Sequence, residues 1–172
     1  MFWINAAMLA ILAVSVVTDL KNRKIYNKVI YPGFAAAFIL QTGLQGWAGL
    51  GAALAGSAVG LGLLLIPYLL GGMGAGDVKL LALIGAFKGT GFVLFAAAYM
   101  AVFGAVMALI VLLLRPGAGQ WIRSIVYYLY GLRYGIKLPV EFSRRRLSAV
   151  YPYGVAIAGG AVAGMLQKGW WG

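Results

Sequence analysis

Carboxylates are the only groups in this chain from which acid–base chemistry could readily be built. Asp19, Asp77 and Glu141 are its only acidic residues, and it contains neither histidine nor cysteine. Those two absences exclude the commonest general base, a thiol nucleophile, a disulfide framework and a thiolate metal site. The sequence therefore predicts no metal and no cofactor, and any catalysis rests on carboxylates, with Lys or Tyr in support.

Each acid also has a simpler interpretation. Glu141 precedes Arg144 by three residues, and a local ion pair is the better interpretation there. Asp19 stands just before a basic run and could pair with Lys21 as an ordinary boundary acid. Asp77 follows a glycine-rich run and could simply cap a helix. Taken one at a time, none of the three requires a catalytic role.

The elements that would position these acids are membrane helices. Hydrophobic residues make up 63% of the chain and charged residues 10%, against roughly 45–50% and about 25% in soluble domains. The 26 glycines suit helices that pack closely in lipid, where small residues let backbones approach. The sequence predicts an all-α polytopic membrane bundle that forms a single domain over residues 1–172.

The apolar runs predict six spans and one further helix. The fourth span is short for a crossing, which needs about 20 residues, so its ends should line a wet cavity inside the bundle. Between the fifth and sixth spans, residues 121–137 have the pattern of an amphipathic helix lying in the headgroup plane. The predicted spans are 2–18, 29–44, 50–70, 78–87, 92–114 and 149–167.

Charge distribution orients these spans. The net charge is +11, which in a membrane protein indicates cytoplasmic loops attracted to anionic lipid and not nucleic-acid binding. Most Lys and Arg residues fall in or beside the loop after the first span and the connection before the sixth. The basic residues follow the first apolar run, so we interpret that run as a span and not as a signal peptide. Both termini are then outside, and Asp19 and Asp77 share the cytoplasmic face.

Two carboxylates on one face change the interpretation of each. When such groups meet in a partly buried site, they cannot both ionise easily; the pKa of one rises and the pair shares a proton. One carboxylate can then act as a base toward water while the other donates to a peptide carbonyl. Asp19 and Asp77 therefore predict an aspartyl protease.

Three segments carry a family resemblance. Residues 74–80, GAGDVKL, resemble the GxGD signature of type IV prepilin peptidases. Residues 19–27, DLKNRKIYN, are similar to that family's first aspartate motif, with Tyr26 where the family usually has Pro. Residues 151–158, YPYGVAIA, resemble its last-span motif. The three motifs occur in order along nearly the whole chain, from about residue 5 to 165.

The resemblance implies a membrane aspartic endopeptidase, located in the inner (cytoplasmic) membrane with its active site facing the cytoplasm. Such enzymes remove a basic leader from type IV pilin-like precursors, in pilus assembly and protein secretion, and the resemblance makes Asp19 and Asp77 the catalytic pair. The absence of cysteine matches short members without the N-terminal region linked to pilin methylation, so no methyltransferase activity is expected. The particular precursor and the oligomeric state are not determined.

Further residues of these motifs are candidates for substrate binding or support. Gly74 and Gly76 would let the loop move and bring Asp77 toward Asp19. Lys79 has a possible catalytic role, although a lysine extending to the membrane surface is the better interpretation. Asn27 could orient the first motif or cap the second span. The last motif contributes residues that line the cleft or only shape the start of the last helix: Pro152, Tyr153 and Gly154.

Two other classes of function remain open from the residues alone. A transporter or channel could use Asp19 and Asp77 to relay protons or bind a cation, as intramembrane acids often do. That function favours acids deep within the spans, whereas both aspartates lie at one face. A non-catalytic scaffold of a secretion or pilus machine would tolerate substitution of both.

Overall fold

The computed structural model describes residues 2–114 and 153–168 as a bundle of apolar helices. No strand occurs within these two ranges, in agreement with the all-α prediction. The predicted helix at 121–137, the start of the sixth span, Glu141 and Pro152 lie outside them. The helices are α1 (Phe2–Asn22), α2 (Asn27–Leu69), α3 (Ala75–Leu114) and α4 (Tyr153–Lys168).

Length and composition make α1, α2 and α3 candidates to cross a membrane. Their most apolar stretches exceed the length of about 20 residues that a crossing requires, and α4 is a shorter apolar helix. Many large apolar side chains point away from the bundle; Trp47 and Ile39, for example, are 86% and 70% exposed. Such a surface suits lipid and not water, which agrees with the predicted membrane class.

Helix α2 folds back on itself at Gly46. That glycine has φ 61° and ψ −146°, outside the helical region, in a left-handed conformation that glycine adopts most easily. A Cβ built on Gly49 would lie 2.2 Å from the carbonyl oxygen of Gln41. In a continuous helix these residues would be about 12 Å apart. Residues 27–45 and 47–69 therefore form a helical hairpin, and its turn at Gly46 falls between the second and third predicted spans.

Helix α3 has a similar interruption at Gly89, where φ is 79° and ψ is −179°. The break falls where the fourth predicted span ends and leaves helical carbonyls without their usual partners. The side-chain amide of Gln41 donates a hydrogen bond to the carbonyl oxygen of Phe87, and both groups are buried. The turn of one helix therefore satisfies a backbone acceptor at the break in the other.

Glycines allow the interrupted helices to pack backbone against backbone. A Cβ on Gly56 would lie 2.0 Å from the carbonyl oxygen of Gly85, and one on Gly60 would lie 2.7 Å from that of Leu81. On the other side of α3, a Cβ on Gly160 of α4 would lie 2.4 Å from the carbonyl oxygen of Ala96. The first half of α3 is thus held by α2 and the second half by α4, which places α3 in the middle of the bundle.

We expect Gly56→Ala to destabilise the bundle by about 1–3 kcal/mol, because the added methyl group would have to separate two backbones. Gly62→Ala is the matched control, since a Cβ there meets nothing within 4 Å. Thermal unfolding of both variants in detergent tests this. Equal melting temperatures for the two variants would contradict the close approach of α2 and α3.

The helices extend beyond the predicted spans at the end that carries the aspartates. Helix α1 continues to Asn22, so Asp19 lies inside the helix and not after it. Helix α3 begins at Ala75, so Asp77 lies in its first turn. The predictions followed the apolar runs, whereas helix ends are determined by capping of backbone groups, which polar residues can provide.

Candidate active site

Asp19 belongs to the buried face of α1. Met8, Leu12, Ser15 and Asp19 follow one another at steps of three and four residues and are all buried, the spacing of one helix face. The helix ends three residues later at Asn22, and the N–H of the next residue, Arg23, donates to the carbonyl oxygen of Asp19 over 2.8 Å. Arg23 has φ 51°, so a left-handed residue closes α1 just beyond the carboxylate.

The Asp19 carboxylate accepts a hydrogen bond from the first turn of α4. The N–H of Gly154 donates to Asp19 Oδ2 over 2.9 Å, and the bond is buried. The first N–H groups of a helix have no partner within it, and the helix dipole favours an anion there. A Cβ on Gly154 would lie 2.7 Å from Oδ2. Glycine at this position therefore allows the carboxylate to reach the end of α4.

The Asp77 carboxylate bonds within its own segment. The N–H of Gly74 donates to Asp77 Oδ2 over 3.0 Å, and the N–H of Asp77 donates to the carbonyl oxygen of Gly74 over 3.1 Å. Asp77 is thus the third residue of α3, and its side chain reaches back to the residue before the helix, as the acid of a capping box does. The sequence suggested that Asp77 could simply cap a helix. In the structure Asp77 and Gly74 instead form two hydrogen bonds with each other.

Both aspartates are nearly buried, and they lie at the same end of the bundle. Asp19 is 7% exposed and Asp77 is 8% exposed, although carboxylates are rarely buried without a partner. Asp19 lies in the last turn of α1 and Asp77 in the first turn of α3, and the start of α3 packs at Gly76 against Ile25, just after α1. Asp19 and Asp77 are 58 residues apart in the sequence. The packing of α1, α3 and α4 brings them together.

A contact between the two motif segments holds them at a close distance. Gly76, which immediately precedes Asp77, packs against Ile25 in the connection between α1 and α2. A Cβ on Gly76 would lie 2.9 Å from the Cβ of Ile25. A larger residue at 76 would therefore push the start of α3 away from the segment that follows Asp19. Close packing against Ile25 thus explains why residue 76 is a glycine, in addition to the mobility predicted for it.

Lys79 makes a second link between these segments. Its Nζ donates to Asn27 Oδ1 over 3.0 Å and lies 5.5 Å from the centre of the Tyr31 ring, within the range of a cation–π contact. Asn27 and Tyr31 are four residues apart and so share one face of α2. Lys79 is directed at this pair and does not merely extend to the membrane surface.

Asn27 does not cap α2, because the capping position is Tyr26. Tyr26 has φ −81° and ψ 133° and makes no side-chain capping bond. A proline has φ near −65 ± 15°. The φ of Tyr26 therefore lies at the edge of the range that a proline would adopt.

Tyr31 and Ile25 were not among the predicted site residues. Ile25 stood inside the first motif, and its spacing from Asn27 was the signal available. Tyr31 could have been found only from its position one turn after Asn27. Of the predicted set, Gly154 contacts Asp19 and Gly74 contacts Asp77. Gly76 packs against Ile25, and Lys79 and Asn27 bond each other. Tyr153 is the first residue of α4 and is half-buried.

Metal binding has no support in the described ranges. Residues 2–114 and 153–168 contain no group of three or more His, Cys, Asp or Glu side chains that could hold an ion. What the described residues do show is two nearly buried carboxylates, each of which accepts a hydrogen bond from a backbone N–H group.

Comparison with known protein families gives a match to the type IV leader peptidase family over residues 6–109. This stretch covers more than half of the chain and includes both aspartates. The chain belongs to the type IV leader peptidase family. Comparisons with curated proteins and with solved structures gave no match.

Membership in the leader peptidase family confirms the resemblance drawn from the three motifs and makes the chain a peptidase of this type. The match ends before residues 151–158, so the last motif is not part of it. The matched stretch contains most of α1, all of α2 and most of α3. These helices carry both aspartates and the Lys79–Asn27 link.

Proposed function

We propose that this chain is a membrane aspartic endopeptidase that removes the basic leader from type IV pilin-like precursors, with Asp19 and Asp77 as its catalytic pair. The observation that supports the proposal is that the two aspartates are both nearly buried and lie at the same end of the bundle. Family membership supports cleavage of leader peptides. The chain offers no histidine, cysteine or metal cluster within the described residues that could perform peptide hydrolysis otherwise.

In the proposed mechanism the two carboxylates share one proton. The ionised carboxylate takes a proton from water, whose oxygen attacks the carbonyl carbon of the scissile peptide. The protonated carboxyl gives its proton to the carbonyl oxygen, and a tetrahedral intermediate forms. The intermediate collapses as the C–N bond breaks, and the leaving amine takes a proton from the pair. The N–H groups of Gly154 and Gly74 hold the carboxylates in position during both steps.

The site is proposed to face the cytoplasm. The breaks at Gly46 and Gly89 let α2 and α3 each cross the membrane twice, which together with α1 and α4 makes six crossings. The basic residues near Asp19, including Lys21, Arg23 and Lys24, then lie on the cytoplasmic side by the positive-inside rule. A basic surface around the site also suits anionic lipid headgroups. A pilin-like precursor inserted in the membrane would present its leader junction on this side.

Transport is the weaker alternative. A proton or cation path needs polar groups distributed across the bilayer, whereas Asp19 lies in the last turn of α1 and Asp77 in the first turn of α3. Those turns are joined by the Ile25–Gly76 contact at one end of the bundle. Among the described residues no other acid extends from this end along the helices.

Co-expression of the chain with a pilin-like precursor tests the proposal. We expect the precursor to lose its leader in the presence of the wild-type chain, with a product of the mature mass in mass spectrometry. The precursor should remain intact with Asp19→Asn or Asp77→Asn, although both proteins still insert. Cleavage by a variant that lacks either carboxylate would exclude the carboxylate pair.

The Lys79–Asn27 hydrogen bond is proposed to support the pair by joining the two motif segments. We expect Lys79→Met and Asn27→Ala each to lower kcat by about fivefold to tenfold, equivalent to about 1–1.4 kcal/mol, the ordinary value of one hydrogen bond. The double variant should be no slower than the slower single variant, because both changes remove the same bond.

Lys28→Met is the matched control for this cycle. Lys28 is exposed and follows Asn27 directly, so the substitution makes the same change of charge at nearly the same place. We expect its kcat to equal that of the wild type. Additive losses from Lys79→Met and Asn27→Ala would show that the two residues act independently and not through their shared bond. An equal loss in Lys28→Met would show that the positive charge and not the hydrogen bond matters.

A further inference from the structure

Tyr31 is an aromatic residue outside the three motifs, and burial does not account for its position. It lies in the second turn of α2, four residues after Asn27, and is 59% exposed. A side chain with that much open surface contributes little to the core of the bundle. The specific contact of its ring in the described part of the chain is with Lys79, whose Nζ lies 5.5 Å from the ring centre. That contact is therefore the feature of Tyr31 that calls for an explanation.

The ammonium group of Lys79 has two neutral partners. It donates a hydrogen bond to Asn27 Oδ1 over 3.0 Å and lies within cation–π distance of the Tyr31 ring. Asp19 and Asp77 are the only acidic residues in the part of the chain that the structure describes, and neither forms an ion pair with Lys79. The negative face of the ring is thus the electrostatic counterpart that this half-buried lysine has there.

A neutral partner for Lys79 suits the proposed carboxylate chemistry. A lysine paired with Asp77 would favour the ionised form of that carboxylate, so the two aspartates would share a proton less readily. A carboxylate side chain in place of Tyr31 would bind the lysine instead, but it would add a third negative charge at the end of the bundle that holds the other two. The aromatic ring binds the ammonium with neither effect.

We propose that Tyr31 is a positioning residue of the peptidase that acts through Lys79. The four-carbon stem of a lysine has much rotamer freedom, and one hydrogen bond to Asn27 leaves part of that freedom in place. The Tyr31 ring, one helical turn further along the same face of α2, restricts the ammonium to the place where it bonds Asn27. The start of α3, which carries Asp77, is thereby kept joined to the start of α2. This inference rests on the proposed function.

Substitutions at Tyr31 test its role with the purified full chain and a synthetic peptide that spans the leader junction of a pilin-like precursor. We expect Tyr31→Leu to lower kcat about twofold to fivefold with an unchanged KM, the equivalent of about 0.5–1 kcal/mol for an exposed cation–π contact. Tyr31→Phe keeps the ring and should keep the wild-type kcat. Tyr68→Leu is the matched control, because Tyr68 is an exposed tyrosine on the other arm of the α2 hairpin; it should also keep the wild-type kcat.

Two further measurements distinguish a cation–π contact from packing. In the Lys79→Met background, Tyr31→Leu should have no additional effect, because the cation that the ring binds is absent. Phenylalanines with an increasing number of ring fluorines at position 31 keep nearly the same shape while the negative face of the ring weakens. We expect kcat to fall with each added fluorine in the chain that contains Lys79 and to stay constant in the Lys79→Met chain.

Four results would each overturn the role of Tyr31: a wild-type kcat in Tyr31→Leu, an equal loss in Tyr31→Phe, the same loss in the Lys79→Met background, or a fluorine series that leaves kcat unchanged. A rise in KM at constant kcat would also overturn it, since the ring would then contact the precursor and not act through Lys79. Each of these results would leave the proposed function intact, which only an active Asp19→Asn or Asp77→Asn variant contradicts.

Discussion

Asp19→Asn and Asp77→Asn should each lower the rate of leader cleavage by at least about a thousandfold, the usual consequence of removing one member of a catalytic unit. Neither change should unfold the protein. An asparagine side-chain oxygen still accepts a hydrogen bond, so the N–H groups of Gly154 and Gly74 keep their partners at 2.9 Å and 3.0 Å. What is lost is the ability to take or give a proton at pH 7. The double variant should be no slower than either single variant.

Glu141→Gln is the matched control for these substitutions. Glu141 is the only other acidic residue of the chain, so the same chemical change is made at the one carboxylate that the proposal does not use. We expect normal cleavage from this variant. The measurement is the fraction of precursor converted to mature product, at protein levels matched by immunoblotting of the membrane fraction. A comparable loss in all three variants would attribute the effect to net charge and not to a pair.

Gly154→Ala should lower the cleavage rate by about a hundredfold, the effect that a displacement of about 1 Å can have on a catalytic group. The new Cβ would lie 2.7 Å from Asp19 Oδ2 and 3.1 Å from the Asp19 Cβ, both closer than carbon and oxygen atoms normally approach. The carboxylate must therefore move away from α4 and lose the Gly154 hydrogen bond. Alanine is also the better helix former, by up to about 1 kcal/mol, so α4 itself should not be weakened.

Gly159→Ala on the same helix is the control for Gly154→Ala. A Cβ there would lie 3.5 Å from the Phe103 ring, an ordinary contact that needs no displacement. We expect wild-type cleavage and an unchanged or slightly higher melting temperature. If Gly154→Ala cleaved the precursor as fast as Gly159→Ala, Asp19 would not depend on the end of α4 for its position.

Family membership agrees with the resemblance drawn from the sequence motifs. The chemistry of the available side chains also limits the mechanism of hydrolysis. A chain with three acids, no histidine and no cysteine has few ways to perform hydrolysis. The glycines before Asp77 and the basic run after Asp19 are formed by neighbouring residues, so both patterns can be recognised without knowledge of the fold. The roles of Asp19 and Asp77 remain predictions that the substitutions above test.

The sequence indicates which residues belong to the motifs, but it does not show which residues each of them contacts. Lys79 was interpreted mainly as a surface lysine, because nothing in the sequence indicates that it lies beside Asn27 and Tyr31. Gly154 could have served only to shape a helix, because its neighbour across the bundle, Asp19, is 135 residues away in sequence.

The sequence by itself determined the helical membrane class, the family and the two aspartates, because hydropathy, acid content and motif spacing are properties of neighbouring residues. Only the tertiary structure decided what surrounds the aspartates: the end of α4 at Asp19, the Ile25–Gly76 contact and the Lys79–Asn27 bond. These depend on backbones that approach closely at glycines such as Gly56 and Gly85. How two helices approach is a result of packing over the whole bundle, and no local stretch of residues encodes it.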